Sequence, residues 1–360
     1  MLIRLKNIRT GMFLLLGILA ASGALPVIAA ERTAFNVAWS IYVGWMPWDY
    51  ADRSGILKKW ADKYGIKIKL TQINEYVESI NQYTAGTFDA CVMTNMDMLT
   101  IPAAGGVDST ALIVGDFSNG NDGVVLKGKG KTLTDIKGQK INLVELSVSH
   151  YLLARALGSV GLRERDLKII NTSDADIVAA FSAPATTAVV TWKPQLSAVL
   201  SAPNAQLVFD SSKIPGEILD LMVVKTDVLN SNPKLGKALV GAWYETLAIM
   251  LKNDTSGRAA QTAMAKASGT DLNGFGLQLA TTHVFATPAD AYAFVTADSI
   301  IKSMDSVRKF SFEHGILGQG AGSVDAIGIQ FPGGKSLGDT RNLKMRFDSG
   351  FTKLAMDGKL

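Results

Sequence analysis

The chain is 360 residues long, 48% apolar and 19% charged, with 36 basic against 32 acidic side chains and a formal charge of +4. These values describe a folded chain with room for two cored domains and exclude a disordered, fibrous or collagen-like one. Three of the basic residues, Arg4, Lys6 and Arg9, lie in the first 30 residues, which hold no acid, so the rest of the chain carries only about +1 and the charge calls for no nucleic-acid partner.

Residues 1–30 read as a secretory leader: a basic start, an apolar run from Met12 to Ala21, then Pro26 and the small pair Ala29-Ala30 before Glu31. Its apolar part is too short to span a bilayer as a mature helix. Cleavage near Ala29 or Ala30 would release a periplasmic protein. The single cysteine, Cys91, lies in an apolar run, so no internal disulfide is expected and the thiol should be buried.

After the leader, Ala34 to Trp39 reads as a strand entering an aromatic cluster of Trp39, Tyr42, Trp45, Trp48 and Tyr50. Pro47 suits the first turn of a helix. Trp48 and Tyr50 read as core, whereas Trp39, Ser40, Tyr42 and Trp45 stand where a strand end could present rings to a ligand. A strand from Ile66 to Ile73, a helix from Tyr76 to Tyr83, a strand from Phe88 to Met93 and the polar string Thr94-Asn95-Met96-Asp97 follow. With a strand from Thr110 to Val114, the order is β-α-β-α-β, the pattern of a parallel sheet. The Gly/Asn/Asp-rich stretch 115–123 leads into another strand, so it reads as a crossover and not as a phosphate loop; the GKGKT and GGKS strings lack the upstream glycine of such loops.

A second α/β set follows. Lys140 to Val144 reads as a strand ending at Glu145, with a helix beginning near His150 and capped by Ser147 or Ser149. Further strands are expected at Leu167–Asn171, Thr187–Thr191 (ending in Trp192) and Ala205–Asp210, with Glu217 just before a return strand at Leu219–Lys225. A long amphipathic helix spans Leu235 to Leu251, and helical segments continue to about Arg308. The expected fold is α/β with two lobes, parallel-rich sheets flanked by helices and two crossover hinges. Lobe I comprises residues 31–117 and 222–360, and lobe II residues 118–221.

No catalytic apparatus is legible. His150, His283 and His314 are scattered without metal-ligand spacing, there is no G-x-S-x-G elbow, and the first strand runs into aromatics instead of a dinucleotide glycine motif. No metal, no cofactor and no enzymatic activity are expected. An exported pair of hinged lobes without such chemistry suggests a protein that closes on a solute.

The strings WSIYVGWMPW, INQYTAG, TNMD, IPAAGGVDST, GDFSNGNDG, NLVELSVSHYLLARAL, NTSDAD, VVTW, FDSS, IPGEI and EHGILG carry a resemblance. The chain resembles the periplasmic solute-binding proteins of nitrate/sulfonate/taurine-type ABC transporters, and within them the branch encoded beside urea carboxylases. The resemblance implies the two-lobed periplasmic binding protein fold of type II, a monomer, and delivery of solute to an ABC permease. It also implies a small, planar, nitrogen-rich solute, guanidine or urea.

The polar residues at strand ends and crossovers test that implication. They are rich in carboxylates and contain no arginine, with Lys193 and Lys213 the only bases nearby. Guanidinium is a flat cation with donors around its rim, suited to carboxylates and aromatic faces. Urea ranks second, and a sulfonate, which wants arginine or free N–H donors, ranks poorly. The expected ligand-binding residues are Trp39, Ser40, Tyr42, Trp45, Asn95, Asp97, Asp116, Glu145, Trp192 and Glu217. Asp174 reads as a helix cap, Asp122 as a turn residue and Asp210 as a loop former. An exported sensor subunit, or an enzyme on the same fold, are the other classes weighed; the cysteine-rich motif of thiamine-pyrimidine synthases is absent.

Overall fold

The computed structural model describes residues 32–360; the leader expected over residues 1–30 lies outside the described residues. The strands are β1 (Ala34–Trp39), β2 (Lys67–Gln72), β3 (Ala90–Thr94), β4 (Ser109–Ser118), β5 (Asp122–Lys127), β6 (Lys140–Leu143) and β7 (Lys168–Asn171). They continue as β8 (Ala188–Trp192), β9 (Ala205–Asp210), β10 (Leu219–Lys225), β11 (Thr282–Val284), β12 (Gly328–Gln330), β13 (Ser336–Leu337) and β14 (Leu343–Phe347).

They form two sheets. The larger runs β13-β12-β14-β4-β10-β3-β1-β2, with β11 added beside β4, and the smaller runs β7-β6-β8-β5-β9. β1 pairs in parallel with β2 and β3, as the β-α-β-α-β reading required. β10 enters antiparallel between β3 and β4. Flanked by helices on both faces, β3 is buried at every position, which is why ACVMT shows no alternation. Cys91 sits there, fully buried, and burial pushes its thiol up to about 12.

Two crossovers join the sheets. β4 runs on to Ser118 and β5 starts at Asp122, so the first turn is only residues 119–121, shorter than the stretch 115–123 suggested. The second runs from β9 to β10. They are tied together: Ser118 N donates to Ile218 O at 3.0 Å, the Ser118 and Ser211 hydroxyls are 2.6 Å apart, and Gly120 N donates to Ser211 Oγ at 2.7 Å. The C-terminal strands β12 to β14, at one margin of the larger sheet, escaped the sequence reading because they are two to five residues long. Among the described residues no helix is long and apolar enough to cross a membrane.

The helix Asp298–Glu313 bridges the two sheets' layers. Its Met304 sulfur accepts from Asn95 Nδ2 at 3.3 Å, while Phe310 packs edge-on against Tyr151 of the helix Val148–Ser159, which covers β5 and β8. Here the chain assembles a cluster that its sequence separations hid: His150, Glu164 and His314. Leu146, in the left-handed region at φ 62°, donates its N–H to His150 Nδ1 at 3.1 Å. That bond leaves the His150 ring proton to Nε2, which lies 3.2 Å from Glu164 Oε2. His314 faces acceptors with both nitrogens, Phe310 O at 2.8 Å and Glu164 Oε1 at 2.7 Å, which suits an imidazolium.

The Glu164 bond raises the His314 pKa above 6.5, and burial, which would raise that of Glu164, is outweighed by the two histidines, which bring it from 4.5 down to about 2. A raised histidine pKa stabilises fully below its unfolded value and loses that contribution as pH rises through the folded one; the depressed carboxyl acts above 4.5 and fades toward 2. His314→Gln should therefore lower stability by about 1 kcal/mol near pH 6, discounted for partial exposure, in urea unfolding. The deficit should shrink as pH rises; a deficit that grew toward alkaline pH would contradict the ion pair.

Candidate ligand-binding site

Between the two sheets lies a small cavity. Tyr42, Trp45, Tyr76, Thr94 and Asp220 reach it from the larger sheet's side, and Asp122, Val148 and Trp192 from the smaller, with Ile41 and Ile218 completing the wall. About 20 Å³ is open to the centres of water-sized spheres, room for a ligand of few heavy atoms. No lysine, arginine or histidine is among these residues. A larger open groove, about 960 Å³ on the same measure, lies at the far ends of β4 and β10. Its Arg346 is already matched by Asp108, at 2.9 and 2.7 Å.

Aromatic rings form the cage. Trp45 stands 5.2 Å from Tyr42 at 64° and 5.5 Å from Tyr76 at 32°, and Tyr76 meets Trp192 at 5.8 Å and 73°. The Trp45 indole N–H is buried without a hydrogen-bond partner. Such rings offer π faces to a cation or a planar group.

The acids are set by strand register. Asp220 of β10 is paired with Thr94 of β3 on one side and with Asp116 of β4 on the other, so the two carboxylates start from directly opposed positions. Asn95 holds this strand entry: its Oδ1 accepts from Leu219 N and its Nδ2 donates to Glu217 O, both at 3.0 Å. Tyr42 hydrogen-bonds Asp220 and is itself held by Asn121 Nδ2 at 3.2 Å. Across the cavity, Asp122 starts β5 and accepts from Ser118 Oγ at 2.5 Å. Behind the wall, Asp97 accepts from Tyr76 Oη at 2.6 Å and Thr94 Oγ1 at 2.8 Å.

These four carboxylates, Asp97, Asp116, Asp122 and Asp220, are all buried, and burial is the first cause that pushes each pKa up. Asp97 and Asp122 rise to about 6 and Asp116 to about 7. Asp220 is pushed well above the usual carboxylate range, by burial first and then by the charges of Asp116 and Asp122. Neither oxygen of Asp116 has a donor, nor has Asp220 Oδ2. Buried carboxylates without cations are costly, so this arrangement is built to be neutralised by something else.

Of the residues expected from sequence, Tyr42, Trp45 and Trp192 line the cavity. Asp116 lies just behind Trp45, and Asp97 supports Thr94 and Tyr76 from the rear. Asn95 positions β10 without lining the cavity. Trp39 is buried at the end of β1 and Ser40 bonds Ser79 Oγ at 3.3 Å; neither is among the lining residues. Glu217 is spent on Tyr151 Oη at 2.5 Å and a two-pronged pair with Arg155 at 2.8 and 2.9 Å. Glu145 is exposed in the turn before Ser147, its N–H bonded to Asn171 Oδ1, and does not enter the cavity. The strand β6 ends at Leu143, and the turn carries the side chain past the sheet edge.

Sequence reasoning passed over Asp220, Asp122 and Tyr76. An acid inside the apolar run LDLMVV was the available signal for Asp220, since a lone carboxylate in a central strand has no structural use. Asp122, read as a turn residue, is the first residue of β5. Asp210 does cap its turn, accepting from Ser212 N at 2.9 Å. Asp174 does not cap the next helix, which begins at Ile177; it lies against Glu75, and burial raises its pKa to about 6.

Gly44 is where backbone and acid approach most closely: a Cβ there would stand 2.4 Å from Asp116 Oδ2 and 2.8 Å from Tyr42 Cε1. Gly44→Ala should destabilise the protein by about 1–3 kcal/mol through overpacking. Urea unfolding that left the midpoint unchanged would show the wall to be slack.

Residues 38–264 match the model of the NMT1-like family. A Brucella abortus (strain 2308) chain named as a binding protein is 26% identical over 150 residues, 41% of this chain and 46% of that one. An Escherichia coli (strain K12) chain named for aliphatic sulfonate binding is 34% identical over 84 residues, 23% of this chain and 26% of its own. The chain thus spans less than half the length of these relatives. Among solved structures, the alkanesulfonate-binding protein of Xanthomonas axonopodis pv. citri bound to MOPS superposes with a TM-score of 0.65 at 17% identity, over 80% of this chain and 96% of that one. The periplasmic nitrate-binding protein of Synechocystis PCC 6803 gives 0.56 at 11%, over 92% and 99%. These neighbours are binding proteins and not enzymes, and their likeness is one of fold. The chain has the periplasmic binding protein fold and belongs to the NMT1-like family.

Proposed function

We propose that this protein is the extracytoplasmic solute-binding subunit of an ABC importer and that its solute is a small planar cation, guanidinium. The reading is carried by one observation: buried acids, Asp220 and Asp122 backed by Asp116 and Asp97, meet at an aromatic cavity whose lining includes no basic residue. A guanidinium ion offers a rim of donors to carboxylates and two flat faces to Trp45, Tyr76 and Trp192. Because Asp220 and Asp122 come from different sheets, one ligand joins both, and its tighter binding to the closed arrangement draws the lobes together. With β4 running to Ser118 and β10 starting at Leu219 in the larger sheet, residues 31–118 and 219–360 form one of these lobes and 119–218 the other, so the second boundary lies three residues before the expected 221/222. The closed form then docks on the membrane permease. A leader over residues 1–30 delivers the protein to the periplasm, where it works as a monomer without cofactor.

Urea is the second reading. Its shape suits the same cage, and its carbonyl needs a donor, which Tyr42 or Trp45 Nε1 supplies. The sulfonate named for the structural neighbours fits less well. An anion would face four buried acids without a basic residue in the wall, and a tailed sulfonate exceeds the space.

Calorimetry of the leader-free protein with guanidinium, urea, methylguanidine and taurine at matched ionic strength tests the reading. Guanidinium should bind tightest; tight taurine binding without guanidinium heat would sink it. Asp220→Asn and Asp122→Asn should each cost about 2–5 kcal/mol of guanidinium affinity. Glu145→Gln should cost almost none, since that side chain lies outside the cavity.

A further inference from the structure

The acids that bind a cation must also exist without one. Asp116 and Asp220 are opposed across the β4–β10 ladder, and both are at least nine-tenths buried. Two like charges at directly opposed strand positions repel even on a wet surface; here no water shell dilutes the repulsion. The groups facing the pair are known from every side. Tyr42 comes from the turn after β1, Thr94 from β3 and Asp122 from β5; Trp45 and Trp243 bring indole N–H groups that are buried and unpartnered. None of these is basic. The nearest ammonium in the network is Lys193, which is engaged with Thr281 Oγ1 at 2.7 Å and reaches Asp220 only through Thr281, Asn121 and Tyr42.

Building on the cation reading above, we infer that the empty site holds a proton on the Asp116–Asp220 pair, and that a cationic solute displaces this proton when it binds. In the empty protein Asp220, protonated, donates to Asp116, which gives a partner to oxygens that otherwise have none. It also removes one of two opposed charges, as in other carboxyl pairs that share a proton. When guanidinium enters, its N–H groups pair with Asp220, the member of the pair that lines the cavity; the carboxyl of Asp220 ionises toward the ligand, and the proton leaves to solvent. The exchange leaves the charge of the closed site nearly unchanged.

The proton makes the pair a specificity device. A neutral ligand such as urea gives no reason to expel it, and can use the Asp220 O–H as a donor to its carbonyl. Guanidinium must compete with the proton, urea need not. Guanidinium affinity should therefore fall about tenfold per pH unit below the pair's titration, while urea affinity stays flat.

Two measurements on the leader-free protein test this. Calorimetry of guanidinium in two buffers of different ionisation heat should show release of about one proton per ligand, and none for urea. Infrared spectra of the ligand-free protein near neutral pH should show a protonated-carboxyl band that guanidinium abolishes and that Asp220→Asn lacks. Guanidinium binding without proton release overturns the shared proton and leaves the cation reading intact. Absence of guanidinium binding overturns the cation reading; the infrared band of the free protein then still decides the pair. A free protein without that band at neutral pH refutes the inference outright, and a folded Asp116→Asn variant that keeps full proton release refutes the assignment to this pair.

Discussion

The constraint on which the rest of this structure depends is the burial of carboxylates where no basic side chain meets them. A protein interior penalises an isolated ionised acid heavily, and it resolves the cost by a proton, a pairing or a ligand. Asp97 and Asp122 are eased by hydroxyl donors from Tyr76, Thr94 and Ser118. Asp116 has no donor on either oxygen, and Asp220 has none on Oδ2. That difference singles out the β4–β10 pair as the least compensated of the four, and together the acids give the cavity a sign before any ligand is considered.

Much of the fold serves to set those groups against each other. Interposing β10 between β3 and β4 places Asp220 in the row of Thr94 and Asp116. Asn95 fixes the start of that strand by engaging Glu217 O and Leu219 N. The crossover of residues 119–121 starts β5 at Asp122, so an acid of the smaller sheet stands opposite one from the larger. Glu217, Tyr151 and Arg155, like the His150–Glu164–His314 cluster, lie outside the cavity and join segments distant in sequence. They hold those segments together away from the cavity.

The likeness to sulfonate- and nitrate-binding proteins and the acidic cavity are compatible. The shared quantity is fold, at identities of 11–17% for the two structures compared. Ligand choice rests on a few side chains at the strand ends, which can change sign while the sheets stay as they are.

The sequence by itself determined the two α/β sets, the parallel order of β1 to β3, the aromatic cage and its acidic character. Periodicity, turn chemistry and composition are local quantities, and they survive in a linear reading. It also pointed to Tyr42, Trp45 and Trp192, which line the cavity, and to Asp97 and Asp116, which lie behind its wall. Tertiary structure alone decided that Asp220 joins them, because inside LDLMVV its meaning depends on which strands lie on either side. It decided that Glu145 does not, because one turn beyond β6 is enough to carry a carboxylate out to water. And it brought His150 and His314 around Glu164, the latter contact spanning 150 residues, which no spacing rule could register. Register and burial are relations between distant segments, and they are fixed only when the chain has packed.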